Sequence, residues 1–152
     1  MSYSIGQAAK LSGTSPYTLR YYDKEGLLPF VKRDESGRRT FTDHDLNFLS
    51  VIICLKNTGM KLAEIRNYVN LCMVGDATLK QRLRLFERQK QLVQLQIKRQ
   101  AANLTKINYK INYYKTAVKV GTEAAVSGNC EIPDTPITIN KALVKHETLP
   151  ST

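Results

Sequence analysis

From Thr78 to Val120 the chain contains neither glycine nor proline. Apolar residues recur there at Leu79, Leu83, Phe86, Val93, Ile97, Leu104, Ile107, Ile111, Tyr114 and Val118. With Lys90 and Gln100 in the two gaps, the steps alternate between four and three residues, which is the heptad seam of a coiled coil. Such a helix is about 60 Å long at the usual rise per residue. No other segment has that length, so the seam predicts a second copy as partner, a homodimer. A core helix is the competing reading, and the length favours the coiled coil.

Upstream, the pattern shortens into capped pieces. Ser4-Ile5-Gly6-Gln7 has the form of a capping box and opens a helix to about Leu11. Ser12-Gly13-Thr14 is a turn. Ser15 then caps a second helix with Pro16 at its first position, ending near Gly26. Two short helices around a glycine turn are a helix-turn-helix candidate, although helical bundles use the same pattern. Pro29 to Arg33 and Arg39 to Phe41 read as strands joined by the turn Asp34-Glu35-Ser36-Gly37. A basic hairpin in that place reads as a wing. Thr42 caps a third helix with Asp43 and Asp45 in its first turn, stopping at Gly59. A fourth, Lys61 to Met73, carries the stripe Leu62, Ile65, Val69. Residues 121–152, with Gly, Thr, Asn and three prolines, predict a loose, flexible tail. The expected fold is mainly α: a winged helix-turn-helix domain over 1–75, a long dimerisation helix over 76–120, and the tail.

Charge changes this picture. The chain has 23 Lys and Arg against 13 Asp and Glu, a net +10, which points to a polyanionic partner. The excess is uneven: residues 77–120 hold eleven basic residues and one acid, Glu87. A charge count alone puts a polyanion there, whereas the motifs put it on the first domain. The basic middle then reads as a solvated helix face. No apolar run approaches a membrane span and the N-terminus has no apolar signal core, so a cytoplasmic protein with no membrane partner is expected. Three unpaired-looking cysteines make neither a disulfide framework nor a zinc site. His44 and His146 stand far apart. With no nucleophile–base set, phosphate-binding glycine loop or metal cluster, the expectation is no enzyme, no metal and no cofactor.

Thr18-Leu19-Arg20-Tyr21-Tyr22-Asp23-Lys24-Glu25-Gly26-Leu27-Leu28 resembles the T-L-R-Y-Y-E-x-x-G-L-L signature of the MerR family of bacterial transcription regulators. Gly37-Arg38-Arg39-Thr40-Phe41 resembles the family's wing motif, G-Y-R-x-Y in outline. Thr58-Gly59-Met60-Lys61-Leu62-Ala63-Glu64-Ile65 resembles its entry to the fourth helix. The resemblance implies a homodimer on an inverted repeat in double-stranded promoter DNA, with the long helices paired antiparallel. It implies an operator in an overlong promoter spacer, bent and untwisted by the dimer so that RNA polymerase can use both promoter elements, a readout of DNA deformation. The DNA-facing set is then Ser15, Tyr17, Thr18, Arg20 and Tyr21 on the second helix, Arg38, Arg39 and Phe41 on the wing, and Lys61. Physical reasoning supports much of it: the N-terminal residues of a second helix enter the major groove, Arg reaches phosphate or guanine, and Tyr hydroxyls suit phosphate. Tyr22 is expected to pack against the first helix.

Metal-sensing relatives carry cysteines at the start of the long helix, where this chain has none, and the tail is too short for a multidrug-type ligand domain. Cys54 falls in the polar arc of the third helix, with Asn47, Ser50, Asn57 and Thr58. Its surroundings resemble the subgroup that answers reactive aldehydes and electrophiles through one thiol. An idle thiol is the alternative. Cys72 lies near an apolar stripe and reads as core. Rival functions are a coiled-coil interaction module without DNA binding, and a regulator of an unrelated ligand.

Overall fold

Capping organises the first half of the chain. The structure is a computed structural model that describes residues 1–145; His146 lies outside the described residues. A short strand β1 (Ser2–Ser4) leads into α1 (Ile5–Leu11). The Ser4 hydroxyl accepts from the Gln7 N–H at 3.3 Å, and the Gln7 side chain accepts from the Ser4 N–H at 2.9 Å, the reciprocal box that the sequence predicts. Gly13 turns the chain at a φ of +63°. Ser15 caps α2 (Pro16–Lys24), with proline in its first turn.

The wing is smaller than expected. Its strands are β2 (Lys32–Arg33) and β3 (Arg39–Thr42). Pro29 to Val31 forms a turn instead, because the Val31 N–H returns to the Leu28 carbonyl at 3.2 Å. The sheet has the order β1-β3-β2, all antiparallel. β1 has no counterpart in the sequence reading: three residues are too few for alternation to show. Thr42 and Asp45 then form a second capping box, which opens α3 (Asp43–Asn57). α4 (Leu62–Val74) follows, then a 3-10 turn (Asp76–Thr78) and α5 (Leu79–Val120).

Two compact units divide the chain, Met1–Gln91 and Leu92–Thr152. The first unit includes the opening turns of α5 for a packing reason. Leu85 packs on the first unit's core, and the Gln89 amide donates to the Thr58 hydroxyl at 2.8 Å. Phe48, Tyr68 and Phe86 carry the same contact as a ring series, stacked at 5.8 Å and then edge-on at 5.1 Å. That core centres on Leu19, Leu27, Leu28, Phe41, Leu49, Ile52, Ile65 and Val69, all fully buried.

In the second unit, the segment expected to be a loose tail packs on the last turns of α5 as far as Lys145. Tyr113, Ala117 and Val120 meet Ala125 and Val126, with Ile137 and Val144 against them. β4 (Val126–Ser127) and β5 (Thr138–Ile139) pair antiparallel. Gly121 makes the turn at a φ of +77°, and the Lys145 N–H closes the segment on the Val120 carbonyl at 2.8 Å. Single apolar residues scattered among prolines and glycines have no period, so composition alone misreads this segment.

Truncating Phe41 leaves a large cavity between sheet and helices. Phe41→Ala should lower unfolding free energy by about 3–5 kcal/mol, measured by urea denaturation.

Candidate nucleic-acid interface

At 100° per residue, α2 sorts its side chains into two faces. Leu19 and Tyr22 turn inward, with Tyr22 only 6% exposed. Burial raises the Tyr22 phenol above its ordinary pKa, and the neighbouring Tyr21 adds to the rise. Tyr17, Arg20 and Tyr21 turn outward, Tyr17 being 78% exposed. Ser15 and Thr18 engage each other: the Ser15 oxygen accepts from the Thr18 N–H at 3.1 Å, and the two hydroxyls lie 2.9 Å apart. The outward face is therefore aromatic and basic on a rigid, capped helix, which is the chemistry that grips a phosphate backbone and reads base edges.

The wing divides differently from the sequence reading. Arg38 is exposed, and its N–H donates to the Asp34 carboxylate at 2.9 Å. Arg39 turns back toward α2, where its Nε meets the Asp23 carboxylate at 2.7 Å. Arg33 reaches the same carboxylate at 3.4 Å. Phe41, expected on the DNA-facing set, is fully buried and pairs with Tyr3 across the β1–β3 ladder. On β3 the burial pattern places Phe41 inward between outer neighbours, as strand alternation requires. It supports the wing from below and has no surface to offer. Lys61 is exposed at the start of α4.

Asp23, Arg33, Glu25 and Arg66 were missed by sequence reasoning. Arg66 donates to the Glu25 carboxylate at 3.1 Å, which ties α4 to the end of α2. The available signal was the hairpin itself. The five residues 34–38 connect Arg33 and Arg39, which are cross-strand partners, and two opposed arginines destabilise a ladder unless an acid offsets them.

Of the thiols, Cys54 is exposed on α3, whereas Cys72 and Cys130 are half-buried. Cys72 lies 3.9 Å from the Arg82 guanidinium. It also neighbours Tyr68, whose phenol is pushed up to about 12, mainly by burial and then by Cys72. Among the described residues no group of His, Cys, Asp and Glu is placed to hold a metal ion. Among them, too, no helix is long and apolar enough to cross a membrane.

Residues 3–72 match the model of the MerR HTH family regulatory proteins. The chain is 47% identical over 135 residues to an uncharacterized HTH-type transcriptional regulator of Haemophilus influenzae, covering 89% of this chain and 99% of that one. The chain belongs to the MerR family. It is a DNA-binding transcription regulator, mainly helical, with the family's helix-turn-helix domain and one long helix. A solved MerR-family structure, HiNmlR, described as lacking the sensor domain and bound to promoter DNA, superposes with a TM-score of 0.79 at 48% identity. It covers 83% of this chain and 100% of its own. A MerR-family regulator from Bacillus thuringiensis gives a TM-score of 0.70 at 43% identity, covering 74% and 98%. AdhR of Bacillus subtilis is 35% identical over 88 residues, 58% of this chain and 63% of its own.

The burial order of the thiols predicts their order of reaction. Under native conditions a small thiol reagent should label Cys54 first, with Cys72 and Cys130 slower by roughly tenfold or more, as access dictates. Peptide mass spectrometry over a time course checks this.

Proposed function

We propose that this MerR-family protein binds an inverted-repeat promoter operator as a homodimer, in the cytoplasm, and controls transcription by distorting the DNA. The observation that carries this reading is the outward face of α2, where Tyr17, Arg20 and Tyr21 stand on a helix anchored by Leu19 and Tyr22. The likeness to HiNmlR, which was solved on promoter DNA, supports it. Arg38 and Lys61, both exposed, extend the cationic surface.

The homodimer rests on the state of the seam. Leu79, Leu83, Ile97, Leu104, Ile107, Ile111 and Val118 are exposed in the single chain, Ile97 at 63% and Val118 at 82%. An exposed apolar row of that length is unusual on a monomer, and a second copy running antiparallel buries it along its whole length. Two DNA-binding units are then held at a set spacing, as an inverted repeat requires. RNA polymerase reads the result: a promoter bent and untwisted by the dimer presents both elements to the enzyme.

The signal in this reading is an aldehyde or another soft electrophile that adds to the Cys54 thiol. The exposure of Cys54 on α3 favours it over Cys72 and Cys130. An adduct that biases the dimer toward the bent state by about 1–3 kcal/mol changes transcription strongly without releasing DNA.

Ile97→Asp with Leu104→Asp should dissociate the dimer by burying unpaired charge in the seam, and operator binding should fall with it. Light scattering and a gel shift check both, and an unchanged folded dimer would remove this seam. Cys54→Ser should bind DNA like the wild type yet fail to activate in vitro transcription when an aldehyde is added, while Cys72→Ser and Cys130→Ser still respond. Full induction of Cys54→Ser would end the thiol reading.

A further inference from the structure

We propose that the two wing arginines have different tasks, set by one carboxylate: Asp23 with Arg39 positions the wing on α2, and Arg33 makes the phosphate contact. This rests on the DNA-binding reading above and names residues within it.

The arrangement starts from a conflict. Arg33 and Arg39 are cross-strand partners on the β2–β3 ladder, and like charges directly opposed on a ladder destabilise it. Asp23 offsets them from outside the sheet. It lies three residues beyond Arg20, so the two side chains leave α2 on the same side. A bare carboxylate there would repel phosphate. With guanidinium groups over it, the same carboxylate holds the hairpin against the recognition helix.

The two arginines share Asp23 unequally. Arg39 meets Oδ2 with Nε at 2.7 Å and with a terminal nitrogen at 2.6 Å, and its side chain is only 20% exposed. Short, charge-assisted and partly screened from water, this is the strong member of the pair. Arg33 meets the same oxygen at 3.4 Å and is 52% exposed. Its other terminal nitrogen donates to the Gly37 carbonyl at 2.8 Å, which holds the guanidinium at the base of the turn. One carboxylate cannot neutralise two guanidinium ions. The surplus positive charge rests on Arg33, the exposed one, beside the face that carries Arg20. A DNA phosphate replaces the long Asp23 contact of Arg33 readily, whereas the Arg39 contact stays closed. Arg39 is thus a positioning residue, and Asp23 sets where the wing sits relative to the groove.

The test measures fluorescence anisotropy on two duplexes across a potassium chloride series. One duplex is selected from a random-sequence pool by the wild-type protein, and the other is its scrambled counterpart. Arg33→Gln should weaken binding to both duplexes by a similar factor and lower the salt slope by about one unit, as loss of one phosphate contact requires. Asp23→Asn frees the wing and removes a negative charge. It should lower affinity for the selected duplex roughly tenfold, in the range of one lost specific contact, while affinity for the scrambled duplex is kept or rises. Asp23→Glu should restore most of the preference. Thermal melts by circular dichroism control for folding, and Arg33→Gln, at a half-exposed site, keeps the test decisive if Asp23→Asn unfolds. An unchanged salt slope in Arg33→Gln, or an unchanged selected-to-scrambled ratio in a folded Asp23→Asn, overturns the proposal. A wild-type protein that selects no sequence would instead overturn the DNA-binding reading itself.

Discussion

The burial of Leu19 is the constraint on which the DNA-binding half depends. α2 must hold one side still while leaving the other bare, and a nine-residue helix is too short to do so alone. Leu19 at full burial, with Tyr22 beside it, fixes the roll of the helix. Leu27, Leu28 and Phe41 complete the floor. Once the roll is set, the periodicity of the helix leaves Tyr17, Arg20 and Tyr21 no other direction than outward.

Two acids at the end of α2 extend that control to its neighbours. Asp23 reaches the wing through Arg39 and Arg33, and Glu25 reaches α4 through Arg66. Both contacts bridge elements far apart in sequence at a partly exposed surface, where a lone ion pair contributes little. Their value is geometric: they tie the end of α2 to the hairpin and to α4.

α5 poses a different problem, since its own chain covers only part of the apolar surface of this 42-residue helix. Leu85 and Phe86 in the first unit are partly covered by its core and rings. In the second unit Tyr113, Ala117 and Val120 are covered by the segment after the helix. What stays open is most of the rest of the heptad row, from Leu79 and Leu83 to Ile97, Leu104, Ile107, Ile111 and Val118. Of the eleven basic residues of residues 77–120, Lys90 falls on the row and the other ten are spread among all the other positions, which suits a solvated rod more than a single docking stripe.

Local signals in the sequence determined the helices and the caps, because each depends on residues within four positions of one another: Ser4 with Gln7, Ser15 with Thr18, and Thr42 with Asp45. The outward set on α2 was legible for the same reason. Contacts across the chain were not. Phe41 looked like a wing residue until strand pairing with Tyr3 turned it into the core. The meeting of Arg39 with Asp23, sixteen residues away, has no signal along the chain. The segment after α5 looked loose because its apolar residues have no period of their own, and only the surface of Tyr113, Ala117 and Val120 gives them something to cover. Hydrogen-bond and helix periodicity are short-range and can be read along a chain; burial and charge pairing depend on which distant residues meet, and only the tertiary structure decides that.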